Sequence, residues 1–368
     1  MEPETVEISA PTVENHAHEE EPMAVIIYRC PNCGGELTFD PETQKYRCGY
    51  CLSEFLPEEA EKEREAAAEK TKEKQEETEE ASVYLCPSCG AELFTESTTA
   101  ASFCYYCHNP VVFSGRVSGK YLPGKILPFS IDRNTAVERF LKEGKKKLFV
   151  PRDFFSKAQI EKITGIYFPY WIYGGDFDVK YRARGRKLRV WRTADAEYTE
   201  TSIYEVERGG TVGLEGIAHN ALKKADRELI ESVQPYRLDA LQPFSMGYLS
   251  GFLAEKRDME REEFEEETRV QREKILQNLM RSEAGEYTSL TGEDLRVQVQ
   301  EEAWDYVMLP VWTVTYRGKD QKTYYYAMNG QSGRVSGEFP VAGGRLFLVS
   351  ALSALAVFAL VLAGGYLI

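Results

Sequence analysis

The sequence predicts an α+β protein in which two tandem four-cysteine zinc ribbons precede an α+β body and one transmembrane helix follows it. Three observations carry that expectation. The cysteines recur as two copies of one spacing, strand-like and helix-like runs come in separate blocks along the middle of the chain, and 23 uncharged residues occupy positions 346–368.

The 368 residues are 43% hydrophobic and 12% aromatic, which excludes a wholly disordered or collagen-like chain and leaves room for about two or three domains. Charge is unevenly placed. Of 59 acids and 45 bases, residues 1–80 hold 22 acids and 8 bases, so residues 81–368 hold 37 of each. The net charge of −14 thus belongs to the first segment, and no argument about nucleic acid can rest on it. Residues 1–25 are acidic and aperiodic, the composition of a disordered tail. They lack a basic stretch followed by an apolar one, so no secretory signal is expected.

Cys30-Pro31-Asn32-Cys33-Gly34 is followed by Cys48-Gly49-Tyr50-Cys51, and Cys86-Pro87-Ser88-Cys89-Gly90 by Cys104-Tyr105-Tyr106-Cys107, with 14 residues between the inner cysteines each time. The second pattern repeats the first at an offset of 56, carries Tyr28/Tyr84, Glu36/Glu92 and Leu37/Leu93 with it, and completes a set that uses all eight cysteines. A Cys-x-x-Cys turn aims two thiolates at one ion while turn amides donate to the sulfurs, and two such turns on successive hairpins build a tetrahedral site. The expected ribbons are residues 26–56, with ligands Cys30, Cys33, Cys48 and Cys51, and residues 83–112, with ligands Cys86, Cys89, Cys104 and Cys107. Modules this small need a staple, so the two zinc ions are structural, and four thiolates leave no open coordination position. Rubredoxin-like iron and an exchange of cysteine pairs between the modules are open alternatives, whereas disulfides do not suit a reducing compartment. Ribbons contact nucleic acid, dock proteins or clip structure together, so the fold does not choose among them. Phe103, Tyr105 and Tyr106 either pack a small core or stack on a partner.

Residues 57–82 between the modules are mostly Glu, Lys and Ala without an apolar stripe. Pro57 suits a helix start and Glu58 stands four before Lys62, the pattern of a solvated, charged helical linker. The body, 113–341, opens with turns at 122–129 and a helix over 132–146 that carries Val137, Phe140 and Leu141 on one face. Strands are expected at 166–173, 177–184, 187–198 and 202–212, helices at 220–232 and 256–282, and further strands at 295–301, 307–316, 323–328 and 334–338. Phe168-Pro169-Tyr170-Trp171 and Leu309-Pro310-Val311-Trp312 echo each other 141 residues apart. They are either matched strands of a duplicated unit or two unrelated buried edges.

The segment 180–192, KYRARGRKLRVWR, holds seven bases from Lys180 to Arg192 and no acid, and residues 116–152 add ten bases against three acids. In a strand Arg182, Arg184 and Arg186 share one side. Such a surface suits anionic lipid or a protein partner, the phosphates of nucleic acid, or a solvated face balanced by the acidic segments. No phosphate-binding loop, GxGxxG after a strand, HExxH or GxSxG occurs, and His16, His18, His108 and His219 stand beside no candidate nucleophile. No catalytic residue is assigned, and an enzyme is not expected. As a helix, residues 346–368 span about 34 Å, against about 30 Å of hydrocarbon. A single-pass membrane anchor over 345–368 is expected, with Arg345 on the cytoplasmic side and the bulk of the chain in the cytosol.

The two CPxCG modules around an acidic stretch, the body motifs PYWIY, LPVWTVTY and AMNGQSG, and the apolar segment at 346–368 together resemble the bacterial YdjG-like, TFIIB-type zinc-ribbon membrane proteins, some of which carry a primosomal-helicase label. The resemblance covers most of the chain. It implies eight cysteine ligands for two zinc ions and a membrane-associated adaptor with protein partners in a membrane-stress module of the phage-shock type. A helicase needs a phosphate-binding loop, and the sequence has none. The expected function is therefore a membrane-anchored zinc-ribbon scaffold or adaptor, with a membrane-tethered nucleic-acid binder as its rival.

Overall fold

A computed structural model describes residues 25–57, 59, 82–86, 92–95, 98–104, 109–113, 116, 119–147, 149–151, 154, 156, 163–317, 323–337 and 340–366. The expected acidic tail, apart from Val25, and nearly all of the charged linker lie outside them. Strand β1 (Val25–Ile26) leads into a three-stranded sheet of β2 (Leu37–Asp40), β3 (Lys45–Cys48) and β4 (Glu54–Phe55). Alternation sets its faces: Leu37, Phe39, Tyr46 and Cys48 point inward. The hairpin of β5 (Ser82–Leu85) and β6 (Glu92–Thr95) follows, then β7 (Thr99–Phe103) and β8 (Pro110–Phe113). Through β1 on β8 and β7 on the body, both modules are tied into one eleven-stranded sheet.

The body runs β9 (Lys125–Ile126), α1 (Arg133–Lys145), β10 (Thr164–Arg192), β11 (Glu197–Asn220), α2 (Arg227–Ser232), β12 (Gln242–Pro243), β13 (Leu253–Glu255), α3 (Glu265–Glu283), β14 (Ser289–Arg317), β15 (Thr323–Asn329) and β16 (Val335–Gly337). Helix α4 (Gly343–Tyr366) follows. Helix α1 falls within one residue of its expected bounds because Asp132 caps it, accepting the Asn134 and Thr135 amides at 3.0 Å each.

The strands differ more. Those expected at 166–173 and 177–184 are one 29-residue strand, β10, and those at 295–301 and 307–316 merge into β14. The gap between the two expected strands is a bulge at two glycines. The register against β11 shifts at Tyr173/Gly174, and a Cβ at Gly175 would sit 2.2 Å from the Glu301 carbonyl oxygen, so the glycine allows neighbouring strands to approach within an unbroken ladder. The strand expected over 187–198 instead contains a turn, closed by the Thr193 amide on the Ala196 carbonyl at 2.8 Å. The helix expected over 220–232 shrinks to six residues, since the Asn220 Oδ1 accepts the Leu222 amide at 3.2 Å and holds a turn where helix was expected. Residues 256–260 stay outside the helix, and α3 begins after a short 3-10 turn, Arg261–Phe264, capped by Glu260.

The echo between the two Pro-containing motifs is a duplication. Strands β10 and β14 run antiparallel with Phe168 opposite Leu309, so each motif pairs with the residues preceding the other. Parallel neighbours match as well: β13 lies beside Ile166 and Tyr167, and β9 beside Val307 and Met308. The turns repeat bond for bond. The Ala221 amide donates to the Pro169 carbonyl at 2.9 Å and the Gly330 amide to the Pro310 carbonyl at 2.9 Å. The Asp258 and Met259 amides donate to Ala221, and the Ser130 and Ile131 amides to Gly330. The Trp171 indole donates to the Met259 carbonyl at 3.1 Å and the Trp312 indole to the Ile131 carbonyl at 3.0 Å. Each repeat is therefore a strand, a helix and two strands (β9-α1-β10-β11 and β13-α3-β14-β15), and each tryptophan clasps the other repeat.

Beyond Gly175 the strands β10, β11 and β14 leave this centre as an arm. At about 3.3 Å per residue, the 29 residues of β10 extend about 95 Å. Helix α3 covers one face, packing Leu276, Met280 and Ala284 against Phe177, Val179, Tyr181 and Ala183. Past Ser289 only β10 and β11 continue, as a two-stranded ribbon exposed on both sides.

Candidate metal centre

Two backbone turns build the first cysteine site, and they match atom for atom. The Cys30 amide donates to Gly35 O at 2.6 Å and the Gly34 amide to Cys30 O at 2.8 Å; in the second turn the Cys48 amide donates to Ser53 O at 2.9 Å and the Leu52 amide to Cys48 O at 3.1 Å. Both turns need a left-handed residue after the second cysteine. Gly34 takes it at φ 73°, and Leu52 takes it at φ 60°, where a side chain is strained. The result brings Cys30 Sγ to 3.5 Å from Cys51 Sγ, Cys33 Sγ to 3.5 Å from Cys48 Sγ, and all four sulfurs within 4.8 Å of one another.

That donor set fits a tetrahedral metal ion. Zinc–thiolate bonds of about 2.3 Å place sulfurs about 3.8 Å apart, close to the observed separations. The Gly35 and Tyr50 amides donate to the Cys33 and Cys48 sulfurs at 3.4 Å each, as thiolate ligands require. Crowding splits the thiols. The Gly35 amide favours the Cys33 thiolate, but the Cys51 and Cys48 sulfurs outweigh it and push Cys33 up to about 12, while the Ser53 hydroxyl and amide bring Cys51 down to about 6. Four thiolates at this spacing need a cation between them. When bound, the metal supplies a cross-link between the two turns, and Cys30, Cys33, Cys48 and Cys51 would hold it. The first set is thus not exchanged with the second.

This module is bolted to the body. Phe39 packs edge-on to Tyr248 with ring centres 5.0 Å apart, the Phe39 amide donates to Ser250 O at 3.1 Å, and the Gln44 side chain donates to Phe129 O at 2.8 Å. A Cβ on Gly247 would lie 2.0 Å from the Tyr46 hydroxyl, so glycine there admits the ribbon. Sequence reasoning did not find this seat, since Met246, Gly247, Tyr248 and Leu249 stand some 200 residues away and carry no motif. In the second module Cys86 and Cys104 are buried with Val111 and Phe113, and the Cys104 amide donates to Asn109 O at 2.8 Å, the counterpart of Cys48 to Ser53. Cys89 and Cys107 lie outside the described residues, as do Tyr105, Tyr106 and His108.

The other sequence-predicted positions are spread over the arm and the centre. Lys180, Arg182, Arg184 and Arg186 do share one exposed side of β10. Two of them have acids as cross-strand neighbours: Arg182 lies between Glu207 and Asp294, with Glu207 at 2.9 Å, and Arg184 lies opposite Glu205, whereas Lys180 lies between Gly209 and Arg296 and Arg186 between Ile203 and Ser289. The surface is of mixed sign rather than basic. His219 is buried and stacked on Phe264; the Arg227 guanidinium donates to its Nδ1 at 2.8 Å, which fixes the proton on Nε2 facing Thr268 Oγ1 at 2.8 Å. Burial pushes this imidazole down to about 4, so it is neutral at pH 7 and structural.

No residue of helix α4 over the 19 residues Gly343–Val361 is buried, and the helix is long and apolar enough to cross a bilayer. No family model and no solved structure matches the chain. A Bacillus subtilis (strain 168) protein, the uncharacterized protein YdjG, is 32% identical over 322 residues, covering 88% of this chain and 92% of its own length. On that similarity, which covers most of the chain, the protein belongs to the YdjG family.

Proposed function

We propose that the chain is a membrane-anchored scaffold or adaptor on the cytoplasmic side of the membrane, with two structural zinc ions and a β arm that presents the partner-binding surface. The observation that carries this reading is the distal ribbon of the arm. Trp191 stacks on Tyr198 at 5.6 Å on one side, while Leu188, Val190 and Ile203, the last 73% exposed, stand on the other. Trp, Tyr and Arg dominate interface hot spots, and an uncovered apolar ribbon at the end of a rigid arm suits a protein partner. A centre closed by four thiolates supports a structural role for the metal, and the Cys104–Asn109 turn supports a second ion in the second module. Arg345 beside the apolar run favours a cytoplasmic body. The likeness to YdjG-like proteins adds a membrane-stress complex as the setting.

The full chain, recovered from detergent-solubilised membranes, tests this. A stoichiometric protein partner that is lost in Trp191→Ser/Ile203→Ser, with two zinc ions per chain retained by elemental analysis, is the expected result. Nuclease-sensitive nucleic acid without a protein partner would replace the reading with a membrane-tethered nucleic-acid binder. One zinc ion, none, or iron would overturn the metal assignment.

A further inference from the structure

We propose that the C-terminal end of α1 binds the anionic headgroups of the bilayer that α4 enters, through Lys142, Lys145, Lys146 and Lys147 together with Arg345. This rests on reading α4 as membrane-crossing. The two segments are almost 200 residues apart in sequence and adjacent in space: the Ala342 amide donates to Phe149 O at 2.6 Å, and the Arg345 guanidinium donates to Val150 O at 3.1 Å. Those bonds hold the first turn of α4 against the chain that has just left α1. At no more than about 3.6 Å per residue, Lys147 lies within about 7 Å of Phe149, and its side chain reaches further. The uncharged run of α4 begins at Leu346, so a bilayer entered there has its headgroups within about one Debye length of these lysines.

Among the described residues, most of the charge on the patch is unpaired. All four lysines are exposed. Glu143 pairs with Lys146 at 2.6 Å, while Lys142, Lys145 and Lys147 form no ion pair among the described residues. The opposite side of α1 is apolar and seated on the body through Ala136, Phe140 and Gly144, and the lysine side faces away from that contact. A helix dipole accounts for a lysine in the last turn of α1, but Lys146 and Lys147 lie beyond its end. The segment 180–192 is the weaker lipid candidate. Arg182 stands 18 residues along β10 from Thr164, about 60 Å, and it faces acids on both sides.

The test uses the zinc-loaded full chain reconstituted in vesicles of phosphatidylcholine alone or with about one third phosphatidylglycerol, with amine labelling of each lysine read by mass spectrometry. The expected result is that Lys142, Lys145 and Lys147 label several-fold more slowly in the anionic vesicles than in neutral ones, while Lys180 on the arm does not change. Lys145→Gln/Lys147→Gln should lower the enrichment of phosphatidylglycerol around the protein about fivefold per lysine. Flotation of the same vesicles separates the two readings. Chain that fails to float overturns the anchor and this proposal together, whereas chain that floats with equal labelling in both lipids overturns the headgroup site alone. Protection by inorganic phosphate in detergent, without vesicles, would assign the patch to a soluble anion and overturn it as a bilayer contact.

Discussion

The two repeats of the body share their centre and differ in what they extend toward. Around the motif tryptophans, the turns at Asn220 and Asn329, both fully buried, carry matching backbone bonds. Outward from there they diverge. The first repeat lengthens its hairpin into the arm and ends its 13-residue helix a few residues before the chain that meets the apolar helix α4; the second grows a 19-residue helix that roofs the arm. Matched positions also change chemistry. Phe129 packs on Trp312 at 5.0 Å, whereas its counterpart Arg257 lies over Trp171 at 4.8 Å, ringed by Tyr121 and Tyr306 and paired with Glu260. His219 corresponds to Met328, both buried. Backbone turns that must satisfy buried amides tolerate little change, while side chains that fill volume can be exchanged for any group whose polar atoms find partners.

Six substitutions probe that comparison. Trp312→Ala should have the largest effect, about 4 kcal/mol from the lost packing and the orphaned Ile131 carbonyl, and Trp171→Ala should match it within about 1 kcal/mol if the clasps are equivalent. Denaturant unfolding of the purified full chain measures both, and a much smaller loss for one would break the symmetry.

The His219 position gives a pH dependence. Its folded-state pKa of about 4 lies below the unfolded value of about 6.5, so the unfolded chain takes up the proton first. The stability from neutral His219 is full above about pH 6.5 and is lost as pH falls toward 4, by up to about 3 kcal/mol. His219→Met, which copies the second repeat, should remove about one proton from the acid dependence between those pH values. An unchanged slope would show that His219 is not the group responsible.

Asparagine turns rank next. Asn329 donates to Val233 O and Pro235 O and accepts from the Gln331 and Ser332 amides, while Asn220 donates to Pro169 O and accepts from Leu222 at longer distances. Asn329→Ala should cost about 3 kcal/mol and Asn220→Ala about 2, and the reverse order would contradict the accounting by hydrogen bonds. Smallest is Arg257→Lys, which keeps the charge and loses the planar stacking on Trp171, for about 1 kcal/mol by thermal unfolding. No loss would mean that the aromatic ring around Arg257 contributes packing alone.

Much of this was legible from local pattern. Asp132 ahead of Val137, Phe140 and Leu141 marks α1 within a residue, and the alternation of Lys180, Arg182, Arg184 and Arg186 places them on one side of a strand. The four sulfurs of the first module meet as their spacing predicts. Less legible was anything that depends on a neighbour. Gly174 and Gly175 fall in a gap between expected strands until β14 is seen passing close by, and residues 220–226 look helical until Asn220 is seen accepting the Leu222 amide. The echo of the two motifs was visible as letters, but it became a duplication only when Phe168 was found opposite Leu309.

By itself, the sequence determined what short-range geometry controls: a thiolate cluster from fixed spacings, a capped helix, strand faces from alternation, and an apolar helix long enough to cross a bilayer. Tertiary structure decided what rests on residues far apart in the chain. It seated the first module on Tyr248 and Ser250, set acids beside Arg182 and Arg184 of β10, and brought Phe149 and Val150, just past the lysines that end α1, against the start of α4. The reason is physical. Local geometry is set by torsions and spacing within a few residues, whereas the charge and burial of a surface depend on which distant segment folds against it.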